Sequence, residues 1–181
     1  MEASKPPWRV TASRYVVDTR HLRLREDTIE LPDGTIVEGY FVRESRGFVV
    51  IFALTPDNRV VLVRQYKHGI GRVVLELPAG AIDPGEEPLQ TARRELSEET
   101  GYEAPALELV RSFVTDPTNA DTVAHVFLAK GARQTGRQEL DVTESIQVEL
   151  ATLADLRRFV RDGTIDVMPQ VAAIYTVLER L

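Results

Sequence analysis

Apolar residues fall in short blocks along this chain, and the period within each block predicts its element. Residues 8–18, 21–31 and 36–43 carry β-branched and aromatic side chains in extended runs, and the Pro, Asp and Gly of "LPDGT" (31–35) mark a tight turn between the second and third. An N-terminal β-meander is expected. "FVVIFAL" (48–54) and "RVVLVRQY" (59–66) flank "TPDN" as a second hairpin, whose first strand is apolar enough to be buried on both faces. Further strands are expected over 72–77, 106–114, 122–130 and 145–150. Helices are expected over 152–161, ended near Gly163, and over 169–180. Another runs from Pro88, where a missing N–H is harmless, to Gly101, which suits a C-cap. "KGARQTGRQ" (130–138) reads as a long surface loop, and no internal repeat is found. The fold class is α/β: an N-terminal antiparallel β extension over 1–45, followed by one domain over 46–181.

The helix that starts at Pro88 contains "RRELSEETG" (93–101), which gathers Glu95, Glu98 and Glu99 within five positions. At i, i+3 and i+4 these carboxylates are neighbours, and like charges so placed destabilise an isolated helix by roughly 0.2–0.5 kcal/mol per pair. Leu89, Ala92 and Leu96 share a narrow arc that must pack on the sheet, which puts the glutamates at the border of that contact and favours a cleft. Hard carboxylate oxygens without His or Cys select Mg²⁺ or Mn²⁺, ions commonly shared with substrate phosphates. A solvated charged face paired with Arg93 and Arg94 is the alternative.

Composition narrows the partners. The 181 residues, 43% hydrophobic, suffice for one ordinary domain with its own core. Cysteine is absent, which excludes disulfides, zinc–thiolate sites and a thiol nucleophile, and suits a cytoplasmic setting. "MEASKPPWRV" lacks the apolar core of a signal peptide, and "FVVIFAL" is far shorter than the roughly 20 residues of a membrane-spanning helix, so no membrane partner is expected. A net charge of −6 disfavours nucleic acid and favours a small-molecule ligand.

Upstream of the acidic cluster stands "LPAGAIDPGEE", a Gly-bounded loop through which backbone can approach a ligand. Together the two stretches match Gly-x5-Glu-x7-Arg-Glu-U-x-Glu-Glu-x-Gly-U, with U a bulky apolar residue. Gly80, Glu86, Arg94, Glu95, Leu96, Glu98, Glu99, Gly101 and Tyr102 meet it, only Tyr102 being slightly off pattern. The chain thereby resembles the Nudix hydrolases, and more widely their ADP-ribose and nucleoside-diphosphate-sugar pyrophosphatase branch. The wider likeness lies in the N-terminal β region, "VRQYKHG", "ELPAGAIDPGE" and Pro117, sixteen residues after Gly101.

The resemblance implies an α/β/α sandwich with a mixed sheet, and attack of water on a diphosphate linked to another moiety. Glu95, Glu99 and the Ala79 carbonyl are then direct metal ligands, Glu98 a ligand to a further ion, and Glu86 the partner that holds Arg94. Two or more Mg²⁺ or Mn²⁺ ions are expected. Glu144 in "DVTESIQV", ahead of Ile146, stands where this branch often carries its general base, with an ordinary loop residue as the alternative. Arg64, Gln65 and Lys67 of "VRQYKHG" are the expected contacts to diphosphate and ribose. ADP-ribose enzymes tend to have Ser-Pro-Gly followed shortly by Glu, where this chain reads "TDPTNADT", with Thr118 and Thr122. A GDP-mannose-type or broad nucleotide-sugar hydrolase therefore stands beside ADP-ribose hydrolysis, and a non-catalytic nucleotide-metabolite sensor is the alternative of a different class. Related enzymes use the N-terminal region to dimerise, which implies a homodimer. His21, His68 and His125 are too far apart for metal-ligand spacing, and "GIGRVV" lacks the third glycine of a dinucleotide fingerprint. A lone Trp8 is more consistent with packing at an interface than with stacking on a base.

Overall fold

A computed structural model of the chain describes residues 7–181. The first six residues of the expected extension, and with them the start of "MEASKPPWRV", lie outside the described residues. The chain divides into two compact units, Met1–Ser45 with Val114–Val123, and Arg46–Phe113 with Ala124–Leu181.

The first unit is built on an antiparallel meander of β1 (Arg9–Asp18), β2 (Arg23–Glu30) and β3 (Ile36–Glu44). The "LPDGT" turn closes as its residues require: Gly34 takes φ +84°, and Asp33 accepts a hydrogen bond from the Thr35 N–H at 2.9 Å. The segment 114–123 is tied to β3 by backbone and side-chain hydrogen bonds. The Arg43 N–H donates to the Asn119 carbonyl at 2.8 Å, and the Tyr40 hydroxyl to the Thr118 carbonyl at 2.8 Å. Trp8 packs edge-on against Tyr40, with ring centres 5.9 Å apart.

The second unit centres on a mixed sheet. Its strands are β4 (Phe48–Leu54), β5 (Arg59–Lys67), β6 (Arg72–Glu76), β7 (Ala79–Ala81), β9 (Ala106–Val114), β10 (Val123–Lys130) and β12 (Ile146–Thr152), in the order β12-β5-β4-β10-β9. β4 and β10 run parallel, while β5 is antiparallel to β4, β6 and β12. β4 is buried along nearly its whole length, as its apolar run predicts. The β4–β5 hairpin pairs only at Leu54 and Val60, beside a turn in which Asn58 takes φ +58°. Beyond that pair the strands part. β6 joins β5, and β7 joins Phe48, Val49 and Val50 of β4, so the chain running from Leu77 through Pro78 lies within a fork of the sheet.

Among the described residues, three α-helices cover the two faces. On one, Ala92 and Leu96 of α1 (Pro88–Thr100) pack with Val49, Ile51, Val61 and Phe127. On the other, Leu156 of α2 (Leu153–Arg161) and Ile174 and Val177 of α3 (Met168–Leu178) pack with Phe52, Leu62, Leu75 and Leu77. This is the expected α/β/α arrangement. One expected contact is absent: Leu89 is 41% exposed. It has the right angle but stands in the first turn and joins neither core cluster. The loop expected over 130–138 contains β11 (Arg133–Gln134), which pairs with β8 (Tyr102–Glu103). Among the described residues no helix is long and apolar enough to cross a membrane.

Candidate functional site

Capping sets where α1 begins and ends. Glu87 and Gln90 form a reciprocal capping box, Pro88 occupies the first turn, and Gly101 ends the helix with φ +71°, its N–H donating to the Ser97 carbonyl at 2.7 Å. The buried stripe comprises Thr91, Ala92, Glu95, Leu96, Glu99 and Thr100. Glu95 and Glu99 therefore lie within the packed face, deeper than the border expected from the sequence, and Glu98 stays partly exposed.

Gly80 explains how the sheet tolerates Glu95. A Cβ at Gly80 would lie 2.0 Å from Glu95 Cδ, so the carboxylate occupies the space that any side chain would fill. Beside it, the Ala79 N–H donates to Glu99 Oε2 at 2.9 Å. Burial pushes the Glu99 carboxyl up to about 8; the Ala79 N–H and the Lys67 charge oppose this, and the charges of Glu95 and Glu144 add to it. Glu95 is also raised, by burial first, against the attraction of Arg94 and with Glu98 and Glu144 reinforcing the rise. The protein thus holds two desolvated carboxylates with too little positive charge to ionise both comfortably.

Arg94 is the cation that bonds directly to the glutamates of this cluster among the described residues. Its Nε and Nη2 donate to Glu86 at 3.1 and 3.0 Å, and its Nη1 donates to Glu95 at 2.8 Å and to Glu98 at 2.9 Å. Hydrogen bonds from Arg94, then from Thr91, outweigh burial and hold Glu86 below the usual carboxylate range. One guanidinium hydrogen-bonds three carboxylates, with Asp83 a fourth at 3.9 Å, a span that its planar fork permits.

On β5 the side chains alternate. Val60 and Leu62 join the core beneath α2 and α3, and Val61 the core beneath α1. Gln65 and Lys67 follow the parity of Val61 and sit on the face of α1; Arg64 follows Val60, points to the opposite face and is salt-bridged to Glu149. The expected trio is therefore divided. Gln65 Nε2 and Lys67 Nζ lie 3.3 and 3.4 Å from Glu76 Oε2, a buried carboxylate that the sequence reading passed over. Its inward parity in the strand "RVVLE" was the signal that could have found it. Lys67, Glu76, Ala79 and Gly80 line a cavity of about 300 Å³ with Phe48 and Gln170. Glu144 lies in a turn after the expected loop, its N–H donating to the Asp141 carbonyl at 2.9 Å. Its charge is felt at both Glu95 and Glu99.

The donor set suits a hard divalent cation: carboxylate oxygens, buried and short of positive charge, in space kept open by a glycine. Among the described residues no three acidic or imidazole side chains form a ready-made metal cage. Glu95 and Glu98 are held on Arg94, and Glu99 on the Ala79 N–H.

Comparison with known proteins places these features. The family model for the NUDIX domain matches residues 44–171, and that for the nucleoside diphosphate sugar hydrolase N-terminal domain matches residues 8–42. The chain is 35% identical over 150 residues to an ADP-ribose pyrophosphatase of Bacillus subtilis (strain 168), covering 82% of this chain and 80% of that protein. It is 35% identical over 169 residues to a methanol dehydrogenase activator of Bacillus methanolicus, covering 92% and 91%. An ADP-ribose pyrophosphatase of Mycobacterium tuberculosis (strain ATCC 25618 / H37Rv) is 41% identical over 117 residues, covering 64% and 56%. Among solved structures, an ADP compounds hydrolase superposes with a TM-score of 0.85 over 98% of this chain and 96% of that one; at 23% identity this likeness speaks for the fold.

Proposed function

The chain belongs to the Nudix family, and from that premise we propose that it is a divalent-metal-dependent pyrophosphatase. Its reaction adds water across the diphosphate of ADP-ribose, or of a related nucleoside diphosphate sugar, and releases a nucleoside monophosphate and a sugar phosphate. The observation that carries this reading is the pair Glu95 and Glu99, buried side by side against Gly80 and the Ala79 N–H and raised in proton affinity by that burial. The relatives named for ADP-ribose hydrolysis and the match to a nucleoside diphosphate sugar hydrolase segment supply the substrate class.

The residues divide the work as follows. Glu95, Glu99 and the Ala79 carbonyl would hold Mg²⁺ or Mn²⁺, with Glu98 serving a second ion. Bound divalent cations neutralise a diphosphate and lower the pKa of coordinated water. Arg94 orients Glu95 and Glu98 and is itself fixed by Glu86. Glu144 takes the proton of the attacking water. Lys67 donates to diphosphate oxygens and Gln65 bonds a sugar hydroxyl, both steered by Glu76, while Arg64 serves the sheet through Glu149. A protonated Glu99 would bind metal poorly, so loading of the site would be coupled to release of the Glu99 proton.

The test is a product panel: purified protein and Mg²⁺ with ADP-ribose, GDP-mannose, UDP-glucose, dinucleoside polyphosphates and nucleoside triphosphates. AMP and ribose 5-phosphate from ADP-ribose are the expected products; no turnover of any compound overturns the enzyme in favour of a sensor. A GDP-mannose-type or broad nucleotide-sugar specificity is the second reading, favoured by Thr118 and Thr122 in "TDPTNADT". We further propose a cytoplasmic homodimer, with 1–45 as its dimerisation region and 46–181 as the hydrolase domain. Val10, Ile36 and Phe41 are about half exposed in the first unit, apolar surface that a second copy would cover. A monomer at micromolar concentration with full activity overturns the dimer.

A further inference from the structure

We propose that Gln138 is a positioning residue, which hangs the loop bearing Glu144 from the last turn of α1; the inference rests on the assignment of Glu144 as base. The final carbonyls of a helix have no partner within it and must find donors elsewhere. Beyond the Ser97 carbonyl, which the Gly101 N–H caps, the donors come from a single downstream segment. The Gly101 carbonyl receives the N–H groups of Thr135 and Gly136 at 2.9 and 3.1 Å, and the Glu98 carbonyl receives the Glu139 N–H at 2.9 Å. The Glu99 carbonyl receives Gln138 Nε2 at 2.7 Å.

That same nitrogen donates to the Ile146 carbonyl at 3.1 Å. A primary amide carries two hydrogens on one nitrogen, so both bonds form without competition. Gln138 thus joins the backbone of Glu99, on the acidic helix, to that of Ile146, two residues from Glu144. Between these points the chain makes a turn closed by Glu144 N–H on the Asp141 carbonyl at 2.9 Å and by Asp141 N–H on Glu144 Oε2 at 3.1 Å. Val142 at the turn is fully exposed, so no apolar anchor holds it there. The carboxylates and the base lie on separate elements, and a base must stay within hydrogen-bond reach of its water. The Gln138 amide is the strut that sets their separation.

Gln138 is exposed, so its replacement leaves the core intact. The experiment compares wild type, Q138L, Q138K, E144Q and the double variant Q138L/E144Q, with ADP-ribose and Mg²⁺, and follows hydrogen exchange at the Glu144 N–H in the same proteins. Q138L should lower kcat by roughly tenfold or more with KM within about twofold, because misplacing a catalytic group costs rate rather than binding. Exchange at Glu144 should quicken. Q138K, whose ammonium can donate to both carbonyls, should recover most of the loss. In the E144Q background Q138L should add nothing, since its effect passes through the missing base. A multiplicative loss in the double variant, or unchanged kcat and exchange in Q138L, overturns the role of Gln138. Wild-type activity in E144Q instead overturns the Glu144 assignment, and the two failures are distinguishable.

Discussion

Replacing Glu99 by Gln should change how the metal-free protein responds to pH, in a direction opposite to that of most carboxylates. An unfolded glutamate titrates at 4.5, whereas burial pushes the folded Glu99 up to about 8. Between those values the folded state binds more protons than the unfolded state, so stability falls as pH rises. At roughly 1.4 kcal/mol per pH unit, the whole window corresponds to at most about 5 kcal/mol, and relaxation around the charge brings the expected loss to roughly 2–5 kcal/mol. Carboxylates whose affinity is lowered, such as Glu86, contribute their slopes only at more acidic pH. His125, lowered by burial, adds stability as pH rises toward 6.5, but it does so equally in both proteins.

The assay is urea unfolding in the presence of a chelator at intervals from pH 5 to 8, for wild type and E99Q. Gln keeps the acceptor for the Ala79 N–H but carries no charge, so its profile should decline less steeply, Glu95 alone contributing, and lie above wild type at pH 8. Glu95 titrates with Glu99, and the difference curve belongs to the pair. Saturating Mn²⁺ should flatten the wild-type profile and leave that of E99Q almost unmoved. Parallel profiles for the two chelated proteins would refute the claim that Glu99 is buried short of positive charge.

Gly80→Ala puts a methyl 2.0 Å from the buried Glu95 carboxylate and must displace it from its bond to Arg94, so it should weaken Mn²⁺ binding by about 10–100-fold, measured by calorimetry. Gly101→Ala meets the Gly136 carbonyl oxygen at 2.6 Å with φ +71°, both backbone constraints, and should cost roughly 1–3 kcal/mol in urea unfolding. Arg94→Lys keeps the charge but cannot span Glu86, Glu95 and Glu98 together, and should lower kcat/KM by about 10–100-fold in steady-state assays.

The sequence disclosed those features that depend on neighbours along the chain. The limits of α1 followed from Pro88 and Gly101, and the strands of the meander from β-branched runs broken at "LPDGT", because capping and turn chemistry act over a few residues. The spacing of Glu95, Glu98 and Glu99 likewise marked an acidic face. What stayed hidden were choices among distant partners. Leu89 had the helical angle of a core residue, yet the sheet does not reach its turn; Arg64 and Lys67 looked alike until the register of β5 put them on opposite faces. The parity was readable, but which parity faced the acidic helix was not. Gln138, in a stretch read as loop, gave no periodic signal at all, since its meaning lies in two carbonyls contributed by residues 99 and 146. Arg94 shows both regimes at once. Its bond to Glu98 is an i,i+4 pair legible from spacing, whereas its hold on Glu86 requires the loop after Gly80 to fold back along the helix. Local chemistry thus announced that charge would be concentrated here, while the sheet fork around Leu77 and Pro78 determined how deeply it would be buried, and depth is what raises Glu99.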